Sequence, residues 1–194
     1  MGEYRLNISI LILAAGESKR FGRTKQLLQL GNQTILQKTI DNCTCSIATE
    51  VRVILGHDAA KIKKSLTNQS IITVENPNYH QGMSTSITAG LASVDPDTQG
   101  ILLALADQPF VDTKTINQLI ESFKSSSKSI VIPLYNHKRG NPVIFDIKYK
   151  QELLKLKGDI GGRDIIKNHP DDILEVPVDC EGVLLDIDTE DSYK

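Results

Sequence analysis

A chain of 194 residues with 40% hydrophobic side chains is long enough to bury one core, with room for a small subdomain. Its 22 Lys and Arg against 24 Asp and Glu leave a net charge of −2, which argues against a general nucleic-acid or anionic-membrane surface but leaves room for a local basic site. Three cysteines, Cys43, Cys45 and Cys180, form an odd and sparse set; they read as buried or semi-buried small hydrophobes in a reducing cytoplasm, not as a disulfide or metal-finger framework.

The first predicted element is a strand at Ile8–Ala14, almost continuously apolar, as a parallel strand covered on both faces should be. The apolar run from Ile8 to Ala15 is too short to span a bilayer and leads straight into charge, so it reads as neither a signal peptide nor a membrane segment. The loop that follows completes LILAAGESKRFGRTK, from Leu11 to Lys25. Its small-residue turn Ala14-Ala15-Gly16 lets the main chain approach a ligand closely, and successive N–H groups in such a turn form a concavity for anions. Arg20 and Lys25 then supply charge against phosphate, one as a fork and one as a point. Neither familiar phosphate loop is present. Five residues separate Gly16 from Gly22, Arg23-Thr24 precede Lys25, and no G-x-G-x-x-G occurs.

Further strands are predicted at 51–55, 71–74, 101–106, 129–133 and 143–145, alternating with helical patterns, which points to an α/β fold. Asp58 is placed to cap a helix carrying Ala59, Ile62 and Leu66. Ser84 or Thr85 is placed to start another, with Ile87, Leu91 and Val94. Asp112 or Thr113 is placed to cap a third, with Ile116, Leu119, Ile120 and Phe123 at helical spacing. Ser125-Ser126-Ser127 reads as a polar loop. Ligands of an open parallel sheet bind beyond the carboxyl ends of its strands. Residues 14–25, 76–86 and Asp107 all fall at such ends on this reading.

Asp107 follows a buried strand, where a carboxylate does not stay unpaired cheaply, and beside a phosphate site it is a natural Mg²⁺ ligand. Asp186-Ile187-Asp188 reads as strand alternation, with both carboxylates on one side. His57, His80, His137 and His169 show no ligand spacing and read as surface or hydrogen-bonding residues.

Read together, these segments resemble a known family. L-A-A-G-x-S-x-R-x-G-x-x-K is similar to the signature of the nucleotidyltransferases that build NDP-sugars and related pyrophosphates. The segment from Asn76 to Ile87 resembles the N-P-x-W-x-x-G-M-x-x-S-L stretch of the molybdenum cofactor cytidylyltransferases. Leu105-Ala106-Asp107-Gln108-Pro109 resembles their L-x-D-Q-P, and Arg139-Gly140-Asn141-Pro142-Val143 their R-G-H-P-V. Gly158-Asp159-Ile160-Gly161-Gly162-Arg163 and Asp186-Ile187-Asp188-Thr189 complete the series in the family's order. Two positions depart from the pattern: Asn141 stands where histidine is common, and Tyr79 where tryptophan is usual.

The resemblance implies a Rossmann-like three-layer α/β/α nucleotidyltransferase fold with a mostly parallel central sheet. It implies a single domain over 1–194, with a nucleotide-binding half at 1–110 and an acceptor-substrate half at 111–194. The implied reaction moves CMP from CTP to the phosphate of molybdenum-molybdopterin and releases pyrophosphate. Arg20, Lys25 and Asp107 are then catalytic. Leu13, Ala14, Ala15, Gly16, Lys25, Asn76, Gly82, Ser86 and Asp107 bind nucleotide. Arg139, Asn141, Asp159 and Arg163 face the acceptor, and Asp107 with Asp188 holds Mg²⁺, or Mn²⁺ in its place. Implied partners are CTP, molybdopterin and a recipient molybdenum hydroxylase or its chaperone, with no nucleic acid and no membrane. Two alternatives stay open: the same chemistry with GTP, or on a sugar or polyol phosphate, and a non-catalytic nucleotide-binding accessory protein.

Overall fold

The computed structural model describes residues 6–18, 22–67 and 70–187. In chain order the elements are β1 (Ile8–Ala14), a short hairpin of β2 (Gln29–Leu30) and β3 (Gln33–Thr34), α1 (Ile35–Thr44), β4 (Glu50–Leu55), α2 (Ala59–Ser65) and β5 (Ile72–Glu75). They continue with α3 (Met83–Ser93), β6 (Gly100–Leu105), α4 (Thr113–Ser125), β7 (Ile130–Tyr135), β8 (Lys138–Arg139) and β9 (Val143–Asp146). The last are α5 (Lys150–Leu153), α6 (Arg163–Asn168) and β10 (Ile173–Pro177).

One sheet runs in the order β10-β7-β9-β6-β1-β4-β5, with β8 paired to β7. β1 lies parallel between β4 and β6, β5 continues parallel beyond β4, and β10 is parallel to β7. β9 is the inserted antiparallel strand, pairing with both β6 and β7. Alternation in the strands divides the core in two. Ile8, Ile10 and Ile12 of β1 pack with Leu36 and Ile40 of α1, Ile62 of α2, and Ile116 and Leu119 of α4. Leu11, on the opposite face, packs with Ile87 and Leu91 of α3, Leu153 of α5 and Ile165 of α6. The result is the expected three-layer α/β/α arrangement around a mostly parallel sheet. Among the described residues, no helix is long and apolar enough to cross a membrane.

Several local expectations need correction. Asp58 precedes α2 but makes no side-chain cap bond; it sits in the left-handed region at φ 54° and its carboxylate accepts from the Thr24 hydroxyl. α3 starts one turn-position earlier than Ser84 or Thr85 would set it, because Gly82 at φ 106° takes the N-cap position and Ser84 is buried inside the first turn. Asp112 does cap α4, accepting from the Thr115 amide at 2.7 Å. Cys43 is buried and Cys180 half-buried, but Cys45 is exposed at the end of α1. Asp186-Ile187 is irregular chain after a 3-10 turn at Glu181–Leu184, not part of a strand; Asp188 lies outside the described residues, as does Arg20.

β1 has no relief from burial on either face: Ile10, Leu11 and Ile12 are each 0% exposed. Truncating Ile12 to Ala leaves a cavity at the sheet's centre, and we expect a loss of about 2–5 kcal/mol. Denaturant unfolding checks it, as a lower midpoint with an unchanged m-value.

Candidate active site

The carboxyl ends of β1 and β6 open into a cleft of about 630 Å³. Its walls are the turn after β1 (Ala15 to Ser18), Lys25 and Gln26, the segment from Tyr79 to Met83, Asp107, and Asp159 from a distant loop. β1 is held in register by β4 and β6 through Leu13, so the chain leaves the sheet at a fixed point.

From there it makes a loop whose return is anchored. Thr24, 8% exposed, donates its hydroxyl to Asp58, which holds the Asp58 carboxyl below its ordinary range. Lys25 opens a 3-10 turn, Lys25–Leu27, and its amide donates to Ser18 Oγ at 3.3 Å. Its side chain reaches into the cleft, where Nζ lies 2.7 Å from Asp107 Oδ2. Buried Gln26 donates from Nε2 to the carbonyls of Ala14 and Gly16 at 3.1 and 3.0 Å.

The second wall follows β5. Asn76 is 3% exposed; its Nδ2 donates to Thr85 Oγ1 and Ser86 Oγ at 2.9 and 3.0 Å, while its Oδ1 accepts from the Asn78 amide. Ser86 lines the cleft and Asn76 itself stands behind it. Tyr79 packs edge-on to His57 and His80. Gly56 makes this approach possible, since a Cβ there would lie 2.6 Å from Tyr79 Cβ and 2.8 Å from Ala15 Cβ.

The loop after α5 closes over the same wall. Ser84 donates its amide to the Gly158 carbonyl at 3.1 Å, and Met83 to Asp159 Oδ1 at 3.3 Å. Gly82 touches Gly158 so closely that a Cβ would meet its carbonyl carbon at 2.4 Å. Asp159 is thereby delivered to the cleft from 76 residues away in sequence.

Behind Asp107, buried Gln108 donates to Asp186 Oδ1 at 2.7 Å and to the Val183 carbonyl at 3.4 Å, and the Ile187 amide donates to the Asp107 carbonyl at 3.0 Å.

Of the residues singled out in the sequence, the cleft brings together Leu13, Ala15, Gly16, Lys25, Gly82, Ser86, Asp107 and Asp159. Ala14 is buried in β1. Arg139 is exposed on β8 and paired with Glu175 at 2.6 Å; Asn141 bonds through its amide to the Val183 carbonyl ahead of a cis peptide to Pro142; Arg163 is exposed at the start of α6. These three do not line the cleft. Sequence reasoning assigned no role to Gln26, because a polar residue that bonds main-chain carbonyls carries no periodicity and no charge. Among the described residues, no three His, Cys, Asp or Glu side chains gather as a metal cluster.

A mostly parallel sheet with a small-residue turn, a lysine and an aspartate at its carboxyl edge is the arrangement of a nucleotide-handling α/β enzyme. The chain belongs to the MobA-like NTP transferase domain family, whose model matches residues 10–173. It is a nucleotidyltransferase. It is 27% identical over 187 residues to the molybdenum cofactor cytidylyltransferase of Escherichia coli K12, covering 96% of this chain and 93% of that one. It is 28% identical over 194 residues to the nicotine blue oxidoreductase of Paenarthrobacter nicotinovorans, covering 95% and 94%. Its fold matches the crystal structure of Rv0371c from Mycobacterium tuberculosis H37Rv with a TM-score of 0.87 at 29% identity, over 97% of this chain and 96% of that one. A manganese complex of that protein matches at 0.81.

Two substitutions test the site's scaffold. Gly82→Ala forces a non-glycine residue to φ 106° against the Gly158 backbone, and we expect a loss of about 1–3 kcal/mol with faster amide exchange in the loop around residues 158–162. Asp58 has a lowered pKa in the folded state, from an ordinary value of 3.8. Its contribution is therefore present above that value and lost as pH falls through the folded pKa. Thr24→Val removes the hydroxyl that does most to lower it, so the Asp58 carboxyl should titrate closer to 3.8 by NMR, and the acid limb of stability should flatten there.

Proposed function

We propose that this nucleotidyltransferase moves CMP from CTP to the phosphate of molybdenum-loaded molybdopterin, giving molybdopterin cytosine dinucleotide and pyrophosphate. The observation that carries the reading is the meeting of Lys25 and Asp107, 2.7 Å apart, at the mouth of the turn after β1. The acceptor phosphate oxygen attacks the α-phosphorus, the bond to the β-phosphate breaks, and pyrophosphate leaves. The nucleophile is already anionic, so no protein nucleophile is needed. Catalysis then comes from alignment and charge neutralisation. The main-chain amides of the turn and Lys25 hold the triphosphate, with Arg20 from the same loop.

A divalent cation fits the donor chemistry. Asp107 is a hard oxygen donor already placed against positive charge, and the residue next to Asp188, Ile187, is bonded to the Asp107 main chain. The manganese complex of the mycobacterial relative supports this. When bound, the ion neutralises phosphate charge, with Mg²⁺ the proposed occupant.

Cytosine is the proposed base because related guanylyltransferases carry Leu-Ala-Gly-Gly where this chain has Leu13-Ala14-Ala15-Gly16. Ala15 forms part of the cleft wall with its methyl close to Gly56, and we propose that this methyl limits the room for the base. The cytidylyltransferase relative supports the same choice. The acceptor-side roles of Arg139, Asn141, Asp159 and Arg163 belong to this proposal, as does their placement in an acceptor half at 111–194.

The test is pyrophosphate release from purified protein with Mg²⁺, molybdenum-loaded molybdopterin and each nucleoside triphosphate in turn. We expect release with CTP and a fall of roughly 10²–10³ in turnover for Asp107→Asn. Ala15→Gly should relax discrimination against GTP by roughly tenfold. Release with GTP but not CTP moves the protein to guanylyl transfer. Release with none of them, from folded protein, overturns the molybdopterin assignment in favour of a sugar or polyol phosphate acceptor.

A further inference from the structure

The turn after β1 has three consecutive peptide planes, and each is held by its carbonyl. Gln26 Nε2 donates to Ala14 O at 3.1 Å and to Gly16 O at 3.0 Å. The amide of His57 donates to Ala15 O at 3.1 Å. In a trans peptide the C=O and N–H bonds point in opposite directions across one rigid plane. Fixing the carbonyls of Ala14, Ala15 and Gly16 therefore fixes the N–H directions of Ala15, Gly16 and Glu17. Those three residues line the cleft.

Gln26 is well built for this. It is 5% exposed, and both donor bonds of its amide go to the turn. Its Oε1 accepts from the Ser18 hydroxyl at 3.3 Å, and Ser18 Oγ in turn accepts from the Lys25 amide. A rotation of the side chain would leave the buried Ala14 carbonyl and the Gly16 carbonyl without this donor, which at the buried group costs more than a net hydrogen bond is worth. A carbonyl swung toward the cleft would also set its negative end against an anion.

We propose that Gln26 is a positioning residue for the nucleotide's phosphates: by holding the carbonyls of Ala14 and Gly16 it aims the turn's amides at them. This rests on the nucleotidyltransferase reading of the cleft but not on the choice of base or acceptor. Gln26→Glu is the sharp substitution, since it keeps size and shape but puts oxygen where the donor stood, facing two carbonyls. Gln26→Met keeps approximate volume and removes both donors.

The experiment is NMR titration of wild type and both variants, with Mg²⁺ present, using inorganic pyrophosphate, CTP and GTP, and the phosphate-free probes cytidine and guanosine. We expect pyrophosphate, and whichever triphosphate the wild type takes, to bind roughly 10–100-fold more weakly to the variants, the worth of a charge-assisted hydrogen bond. Nucleoside binding should be unchanged, and the amide signals of residues 15–17 should shift in the free variants. A merely structural role would weaken nucleoside and pyrophosphate alike. If Gln26→Glu does not fold, Gln26→Met carries the comparison. Folded variants that bind pyrophosphate as the wild type does, or that lose nucleoside equally, overturn the inference alone. A wild type that binds neither pyrophosphate nor any triphosphate overturns the nucleotide reading and the inference with it.

Discussion

β1 is hydrogen-bonded along both edges, to β4 and β6, and covered on both faces by helices. A strand so confined has no freedom to slide, because a one-residue slip would exchange its two buried faces. The place where it ends is therefore the most sharply defined point at the sheet's carboxyl edge. The turn that follows inherits that definition, and the cleft is built around the turn.

What surrounds the turn repeats one device. Three buried side-chain amides, Gln26 in the wall of the cleft and Asn76 and Gln108 behind it, each donate to two partners: two carbonyls, two hydroxyls, and a carboxylate with a carbonyl. A buried amide is costly when unsatisfied and directional when satisfied, so it locks a loop more firmly than apolar packing would. The charged pair Lys25–Asp107 differs in kind. Its partners are 13% and 25% exposed and meet at the cleft itself. Partly desolvated charges of this sort contribute little to stability. Both line the cleft, which is where the proposed reaction needs charge against phosphate and a divalent ion.

The strands were legible in the sequence where burial is two-sided. Ile8–Ala14 appears with the predicted bounds, and the fourth predicted strand is displaced by one residue to Gly100–Leu105, because continuous apolar runs bounded by turns admit few alternatives. β10 was not legible: Glu175 and Pro177 break its pattern, and its place at the sheet's edge tolerates both. α1 was missed for a related reason. ILQKTIDNCT is rich in β-branched and short polar residues, and it is helical because Leu36, Ile40 and Cys43 are packed and Thr34 caps it at the Gln37 amide. In the site, glycines and charges announced themselves, whereas Gln26 did not. The contact of Asp159 with α3 depends on a loop 76 residues distant, which no local pattern encodes.

The residues proposed for the two substrates also differ in how they are held. On the side of the β1 turn, the main chain is fixed by buried donors. Two of the residues proposed for the acceptor are different and lie outside the cleft: Arg139 is exposed and paired with Glu175, and Arg163 is exposed at the start of a short helix. Side chains of this kind can be replaced without disturbing the sheet, since surface substitutions away from caps and buried networks cost little stability. Relatives of similar length carry names as different as a cytidylyltransferase and an oxidoreductase. A turn fixed through its main chain tolerates such divergence, because substitution of exposed side chains elsewhere leaves the place where β1 ends unchanged.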